Sequence, residues 1–236
     1  MKRIAYILAA ALLLTLPSCR FVRISDEMKE KLKDLTESEG ITASENLITQ
    51  DNVTGKFHSI QCNVPGDVIY TPGDCAISLN GPDNVIQHVK VYNENGTLIV
   101  KTDGTKFHQL KKFTIRLSSP VLEELNFNGA VDFSAPEGIT ALDFNLTVNG
   151  AGDISIDGLK ADKAELTMNG AGDVDIDRLD CERINVAVNG AGDVRLAGQA
   201  AHADLGISGA GDIDAASLRC DDIDSKVRGI GRIKRP

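Results

Sequence analysis

The chain of 236 residues contains no tryptophan, and aromatic residues make up 4% of it. A surface that grips sugar rings by stacking needs such side chains, so that mode of carbohydrate binding is disfavoured. Four histidines, His58, His88, His108 and His202, are scattered along the chain. No His-Glu-x-x-His, Gly-x-Ser-x-Gly or phosphate-cradling loop before a helix is present, which removes the common zinc-hydrolase, serine-hydrolase and nucleotide-binding readings. No apolar run after the first residues is long enough for a transmembrane helix. Basic residues are outnumbered by acidic ones, giving a net charge of −9. Such a chain repels phosphate backbones, so no nucleic-acid partner is expected.

The first residues are a leader. Lys2-Arg3 precedes the apolar run Ile4 to Leu16, which closes on Leu16-Pro17-Ser18-Cys19. That ending resembles a bacterial lipobox, in which the cysteine thiolate takes up a diacylglycerol before cleavage. Residues 1–18 are therefore expected to be a lipoprotein signal peptide, with Cys19 as the lipidated residue and the membrane as a partner through that lipid. An ordinary secretory signal with a chance cysteine is the alternative. Residues 19–50 read as an anchor and charged linker. Met28, Leu32 and Leu35 make only a thin helical stripe there, too narrow to bury much.

Residues 51–120 are β-rich without a clean repeat. Short runs such as Val68-Ile69-Tyr70 and Leu98-Ile99-Val100 are divided by turn residues. Asn95-Gly96 between two such runs signals a hairpin. Cys62 and Cys75 lie in this part and could form a disulfide in an oxidising envelope.

Residues 121–233 are a repeat. Asn-Gly-Ala-Gly-Asp begins at Asn149, Asn169 and Asn189, and Ser208-Gly209-Ala210-Gly211-Asp212 follows. Eroded copies start at Asn128 and Arg228. Residues one, three and five before the motif's first position, and five and seven after it, are apolar in nearly every copy. Each flank thus alternates with period two, as a strand with one buried face does. A unit of about 20 residues cannot bury that face alone, so copies must stack. The expected fold is all-β, a right-handed parallel β-helix or solenoid with rungs of about 20 residues. At ~4.8 Å per rung, six rungs rise roughly 29 Å. The alternative is an antiparallel array in which each unit is a hairpin. The solenoid register puts Cys181 and Cys220 on one column two rungs apart, roughly 9.6 Å, beyond the reach of a disulfide.

In stacked rungs the motif residues become columns. Asn149, Asn169 and Asn189 form an amide ladder. Gly150, Gly152, Gly170, Gly172, Gly190, Gly192, Gly209 and Gly211 supply the backbone freedom and empty volume of a sharp bend. Asp153, Asp173, Asp193 and Asp212 form a carboxylate column, with Arg232 placed to close it. Carboxylates that close must accept hydrogen bonds, take up protons or share a cation. The turn role is the primary reading and a calcium column the weaker one. The calcium-binding nonapeptide pattern, with its shorter period, is not matched. No catalytic residue and no cofactor are expected. The basic tail, Lys226, Arg228, Arg232, Lys234 and Arg235, reads as a cap that discourages stacking on the last rung.

The motif, the opening Val53-Thr54-Gly55-Lys56-Phe57-His58-Ser59-Ile60, the run Asn95-Gly96-Thr97-Leu98-Ile99-Val100 and Pro120-Val121-Leu122-Glu123-Glu124-Leu125 resemble the head GIN domain family. These are auto-transporter adhesin domains common in lipoproteins of Bacteroidetes. The resemblance spans residues 51–233. It implies an exported β-helical domain, lipid-anchored in the cell envelope at the outer membrane on its periplasmic or outer side. It brings no enzyme activity and no catalytic residues to carry over. The expected function is a binding or structural module of the adhesin type, with an envelope protein or a glycan as partner. The alternative is a β-helix carbohydrate-active enzyme, a polysaccharide lyase or hydrolase.

Overall fold

The computed structural model describes residues 40–108, 110 and 112–236. The expected signal peptide, Cys19 and the expected helical stripe of Met28, Leu32 and Leu35 lie outside the described residues. Gly40–Pro236 is one compact unit, a parallel β-solenoid whose regular repeat makes about six turns.

Parallel pairing runs through every repeat, which rules out the antiparallel alternative. Glu124–Phe127 pairs with Asp143–Val148, and Asp143–Val148 with Leu159–Met168. Leu159–Met168 lies on Val174–Val188, which lies on Val194–Ile207, which lies on Asp222–Val227. After each bend a second set stacks the same way: Val131–Ala135, Ile154–Ile156, then the beginnings of Val174–Val188 and Val194–Ile207, then Ile213–Arg219 and Ile233–Lys234. The alternating residues fill the inside as expected. Leu125, Leu146, Leu166, Val186 and Leu205 form one buried column, and Phe133, Ile154, Val174, Val194 and Ile213 another. Each residue in a column meets its equivalents at rung spacing, so a single apolar core runs the length of the stack.

Residues 51–120 are more regular than their sequence. Ser59–Cys62 pairs in parallel with Glu124–Phe127 on one side and with Thr97–Thr102 on the other. Gly66–Pro72 likewise lies between Val131–Ala135 and Thr114–Ser119. Two further rungs therefore continue the solenoid, out of chain order: residues 97–119 stack on 59–72, which stack on 124–135. The remainder of this part covers the outermost rung with antiparallel strands. Val89–Glu94 pairs with Thr97–Thr102 through the Asn95-Gly96 turn, whose residues take φ of 52° and 85°, as a two-residue hairpin requires. Ala76–Pro82 pairs antiparallel with Thr114–Ser119 and with Leu47–Asn52. The expected linker boundary at residue 50 is thus corrected. Ile41–Thr42 and Leu47–Asn52 are strands of the body, held because Ala76–Pro82 offers a free edge.

The Cys62–Cys75 disulfide that the sequence allowed is not formed; both thiols are free. Cys62 points into the core column beside Phe127 and donates to the Val64 carbonyl, whereas Cys75 faces the Phe57 carbonyl. Burial pushes the Cys62 thiol up to about 11. Cys181 and Cys220 are free as well. The register Cys181↔Ala200 and Gln199↔Arg219 sets one rung between them, as the repeat predicted; Cys181 is buried and Cys220 half-buried.

Candidate binding face

The bends come first, because they position everything outside. At each bend the strands stay paired. The N–H of Ala151, Ala171, Ala191 and Ala210 donates to the carbonyl of Gly129, Gly150, Gly170 and Gly190 at 2.8, 2.9, 2.8 and 2.8 Å. That close approach explains the first glycine. A Cβ on Gly150, Gly170, Gly190 or Gly209 would stand 1.7–1.8 Å from the carbonyl oxygen of the glycine one rung before it. Space, more than φ, selects glycine there. At the second glycine both act in Gly152 and Gly172, with φ of 139° and 131°.

The amide ladder forms as expected. Asn149, Asn169 and Asn189 each donate from Nδ2 to the Oδ1 of the preceding asparagine at 3.0, 2.8 and 2.9 Å. The expected ladder began at Asn149, but it runs on through Asn128, which donates to Asn63 at 2.8 Å. Asn63-Val64-Pro65-Gly66-Asp67 is an eroded copy of the motif, in register with Asn128 to Asp132. Its signal was present: Asn, Gly and Asp keep their spacing, and Gly66 has φ 145°. The intervening Val-Pro disguised it.

The carboxylate column resolves its own repulsion. Oδ1 of Asp132, Asp153, Asp173 and Asp193 accepts the backbone N–H of Asp153, Asp173, Asp193 and Asp212 at 3.0, 3.1, 2.9 and 2.8 Å. Arg232 closes the row with its backbone N–H on Asp212 Oδ1 at 2.8 Å and its guanidinium on Oδ2 at 3.2 Å. Each carboxylate thus satisfies a backbone donor of the next rung. Among the described residues no cluster of three or more His, Cys, Asp or Glu is arranged to hold a metal ion.

Two shallow grooves run beside the bends. The one after the bend is lined by Asp173, Asp193 and Asp212 of the column and by Asp175, Arg195, Asp214 and Lys234. Its charges are spent on one another. Arg195 bridges Asp175 and Asp177 at 2.7 and 3.3 Å, and Lys234 meets Asp214 at 3.2 Å. The Ala216 N–H and the Lys234 ammonium hold the Asp214 carboxyl below its usual range.

The groove before the bend differs. Its floor is the column Thr167, Ala187, Gly206, where the outward side chains shrink from rung to rung and Leu166, Val186 and Leu205 show between them. One wall is Glu165, Asn185, Asp204 and Asp224, and Lys226 closes the end. The amide ladder of Asn169 and Asn189 stands across the floor. Asp204 is engaged by Arg183 at 3.4 Å. Glu165, Asn185, Asp224 and Lys226 make no side-chain hydrogen bond or ion pair among the described residues. Unspent polar groups therefore converge on a strip of small side chains, four rungs long. These wall and floor positions vary between repeats, so no motif marked them in the sequence. The shrinking series Thr147, Thr167, Ala187, Gly206 was the only trace.

A family profile described as "Putative auto-transporter adhesin, head GIN domain" matches residues 56–168 and 145–234. Solved structures share the fold. One is described as a putative adhesin from Bacteroides fragilis NCTC 9343, with 24% identity and a TM-score of 0.70 over 84% of this chain and 100% of that one. Another is a putative lipid binding protein from Parabacteroides distasonis ATCC 8503, with 16% identity and a TM-score of 0.72 over the same shares, 84% and 100%. A third is a putative adhesin from Parabacteroides merdae ATCC 43184, with 18% identity and a TM-score of 0.54, again over 84% and 100%. No curated protein matches the chain. Bends, columns and family profile agree over the same residues, and the chain belongs to the head GIN domain family of auto-transporter adhesin domains.

Proposed function

We propose that the protein is a lipid-anchored binding module of the cell envelope, non-catalytic and adhesin-like, that holds an extended polar polymer along the groove before the bends. The family description supports the adhesin-like reading over the carbohydrate-active enzyme. The observation that carries the ligand class is the groove itself: the free carboxylate and amide groups of Glu165 and Asn185 beside a floor of Thr167, Ala187 and Gly206. Such walls offer hydrogen bonds to a hydroxyl-rich chain without the aromatic stacking that the composition denies it. An envelope glycan fits this chemistry, its long axis across the rungs.

The test is titration calorimetry of the processed chain against envelope glycan fractions. Thr167→Arg and Gly206→Arg each put a long side chain on the floor and are expected to weaken binding at least tenfold, while circular dichroism stays unchanged. Binding that survives both substitutions places the ligand elsewhere.

Membrane attachment rests on the lipobox resemblance at Cys19. Replacing residues 1–19 with a secretory leader that is cleaved without lipidation is expected to move the protein from the membrane pellet to the soluble fraction on cell breakage. A variant that still pellets is not anchored through that residue.

A further inference from the structure

The two ends of the solenoid are treated differently by the fold. The rung of residues 97–119 is covered by Val89–Glu94 and Ala76–Pro82. The last rung has no such cover. Asp222–Val227 pairs with Val194–Ile207 along one side, and its other edge meets no strand among the described residues. The inner columns end openly there. Val227 is 43% exposed, and Ile223 and Ile233 are only half-buried; Ile230, on the outward column of bend alanines, is 83% exposed. An uncovered strand edge beside uncovered apolar ends is a surface for another strand.

The charge order of that edge identifies the strand that fits. It reads Asp222-Ile223-Asp224-Ser225-Lys226-Val227-Arg228. The register with His202 to Ile207 turns Ile223, Ser225 and Val227 inward and Asp222, Asp224 and Lys226 outward. Laid antiparallel on a second copy about Ser225, the sequence is complementary to itself. Asp222 faces Arg228, Ile223 faces Val227, and Asp224 faces Lys226, each pair occurring twice by symmetry. All outward partners carry opposite charge and all inward partners are apolar or serine. A parallel, in-register copy would instead set like charge on like. Asp222 already accepts from His202 Nδ1 at 2.8 Å, yet 68% of its side chain is exposed and a second donor can reach it. Lys226 and Arg228 have no ion-pair partner in the chain among the described residues.

We propose that two copies of this protein dock end to end through this edge, forming a two-fold dimer whose strands join in one continuous sheet. The contact is isologous and closes on itself, so assembly stops at two. The basic tail, expected as a repulsive cap, contributes Lys226 and Arg228 as half of a self-complementary set. An open last rung is thereby completed by its own copy, with Ile223 of each copy against Val227 of the other.

Sedimentation equilibrium of the lipid-free chain from residue 20 onward, which keeps the whole compact unit Gly40–Pro236, tests this. The parent is expected to show the mass of a dimer. Lys226→Glu sets Glu against Asp224 of the partner subunit in two places and is expected to raise the dissociation constant roughly a hundredfold. Asp224→Lys is expected to do the same from the other side. The exchange Asp224→Lys with Lys226→Glu restores opposite charges and should restore the dimer. Ser225→Cys should give an intermolecular disulfide on a non-reducing gel that the parent lacks, since opposed Cβ atoms lie about 4.5–5.5 Å apart. A parent that stays monomeric at its solubility limit overturns the proposal. So does a dimer that persists in both single charge reversals.

Discussion

Gly170→Ala is expected to lower the stability of the solenoid by about 3 kcal/mol or more, out of proportion to one methyl group. The added Cβ would stand 1.7 Å from the Gly150 carbonyl oxygen. Backbone cannot swing aside as a side chain does, so two rungs must part. Their parting strains the Ala171 N–H bond to that same carbonyl, now 2.9 Å long. Because rung–rung contacts carry the stability of a solenoid, a central opening weakens both halves. In thermal unfolding the midpoint should fall by about 10 °C. Gly104→Ala separates this effect from backbone strain. Gly104 has φ 103° with nothing within 4 Å of an added Cβ, so its alanine variant should lose only ~1 kcal/mol. Gly229→Ala meets an equal clash, with a carbonyl 1.9 Å away, but only the last rung lies beyond it. Its cost should appear as local fraying in hydrogen exchange. Equal losses for Gly104 and Gly170 would show that conformation, and not space, selects glycine at the bends.

Phe127→Ala is expected to cost about 3–5 kcal/mol, measured by urea unfolding. Phe127 is fully buried. It stands in the inward column between Cys62 and Val148, with its ring 5.4 Å from that of Phe133. In a chain so poor in aromatics these two rings do much of the filling where the out-of-order rungs meet the regular repeat. Neighbours fixed in ladder register cannot collapse into the cavity, so the loss should sit at the upper end of the range. Val121→Ala is the comparison. Val121 is 38% exposed, and its loss should stay within ~0.5 kcal/mol. A Phe127→Ala loss as small as that would mean the junction contributes little to the fold.

The repeat was legible because its physics is local and recurs. Alternation on both flanks of Asn149, Asn169 and Asn189 marked which residues turn inward, and those positions are buried in the structure. The motif marked the bend, and its fixed spacing implied columns of Asn and Asp, which are present. Residues 51–120 were harder to read because their stacking order is not their chain order. Thr97–Thr102 joins Ser59–Cys62 across a hairpin that spacing does not encode. Asn63 to Asp67 escaped notice for the related reason that one isolated, eroded copy carries no period.

The amino-acid sequence by itself determined the rung: its length, its buried face, its glycine bend and the family to which it belongs. Only the tertiary structure decided what lies outside the rung. It set which unspent polar groups converge on one groove, which carboxylates are consumed by backbone donors, and which end of the stack stays open. A periodic apolar pattern fixes the inside, since every copy must satisfy the same packing. Surface chemistry depends on which different residues stacking brings side by side, and that is settled only when the rungs are in register.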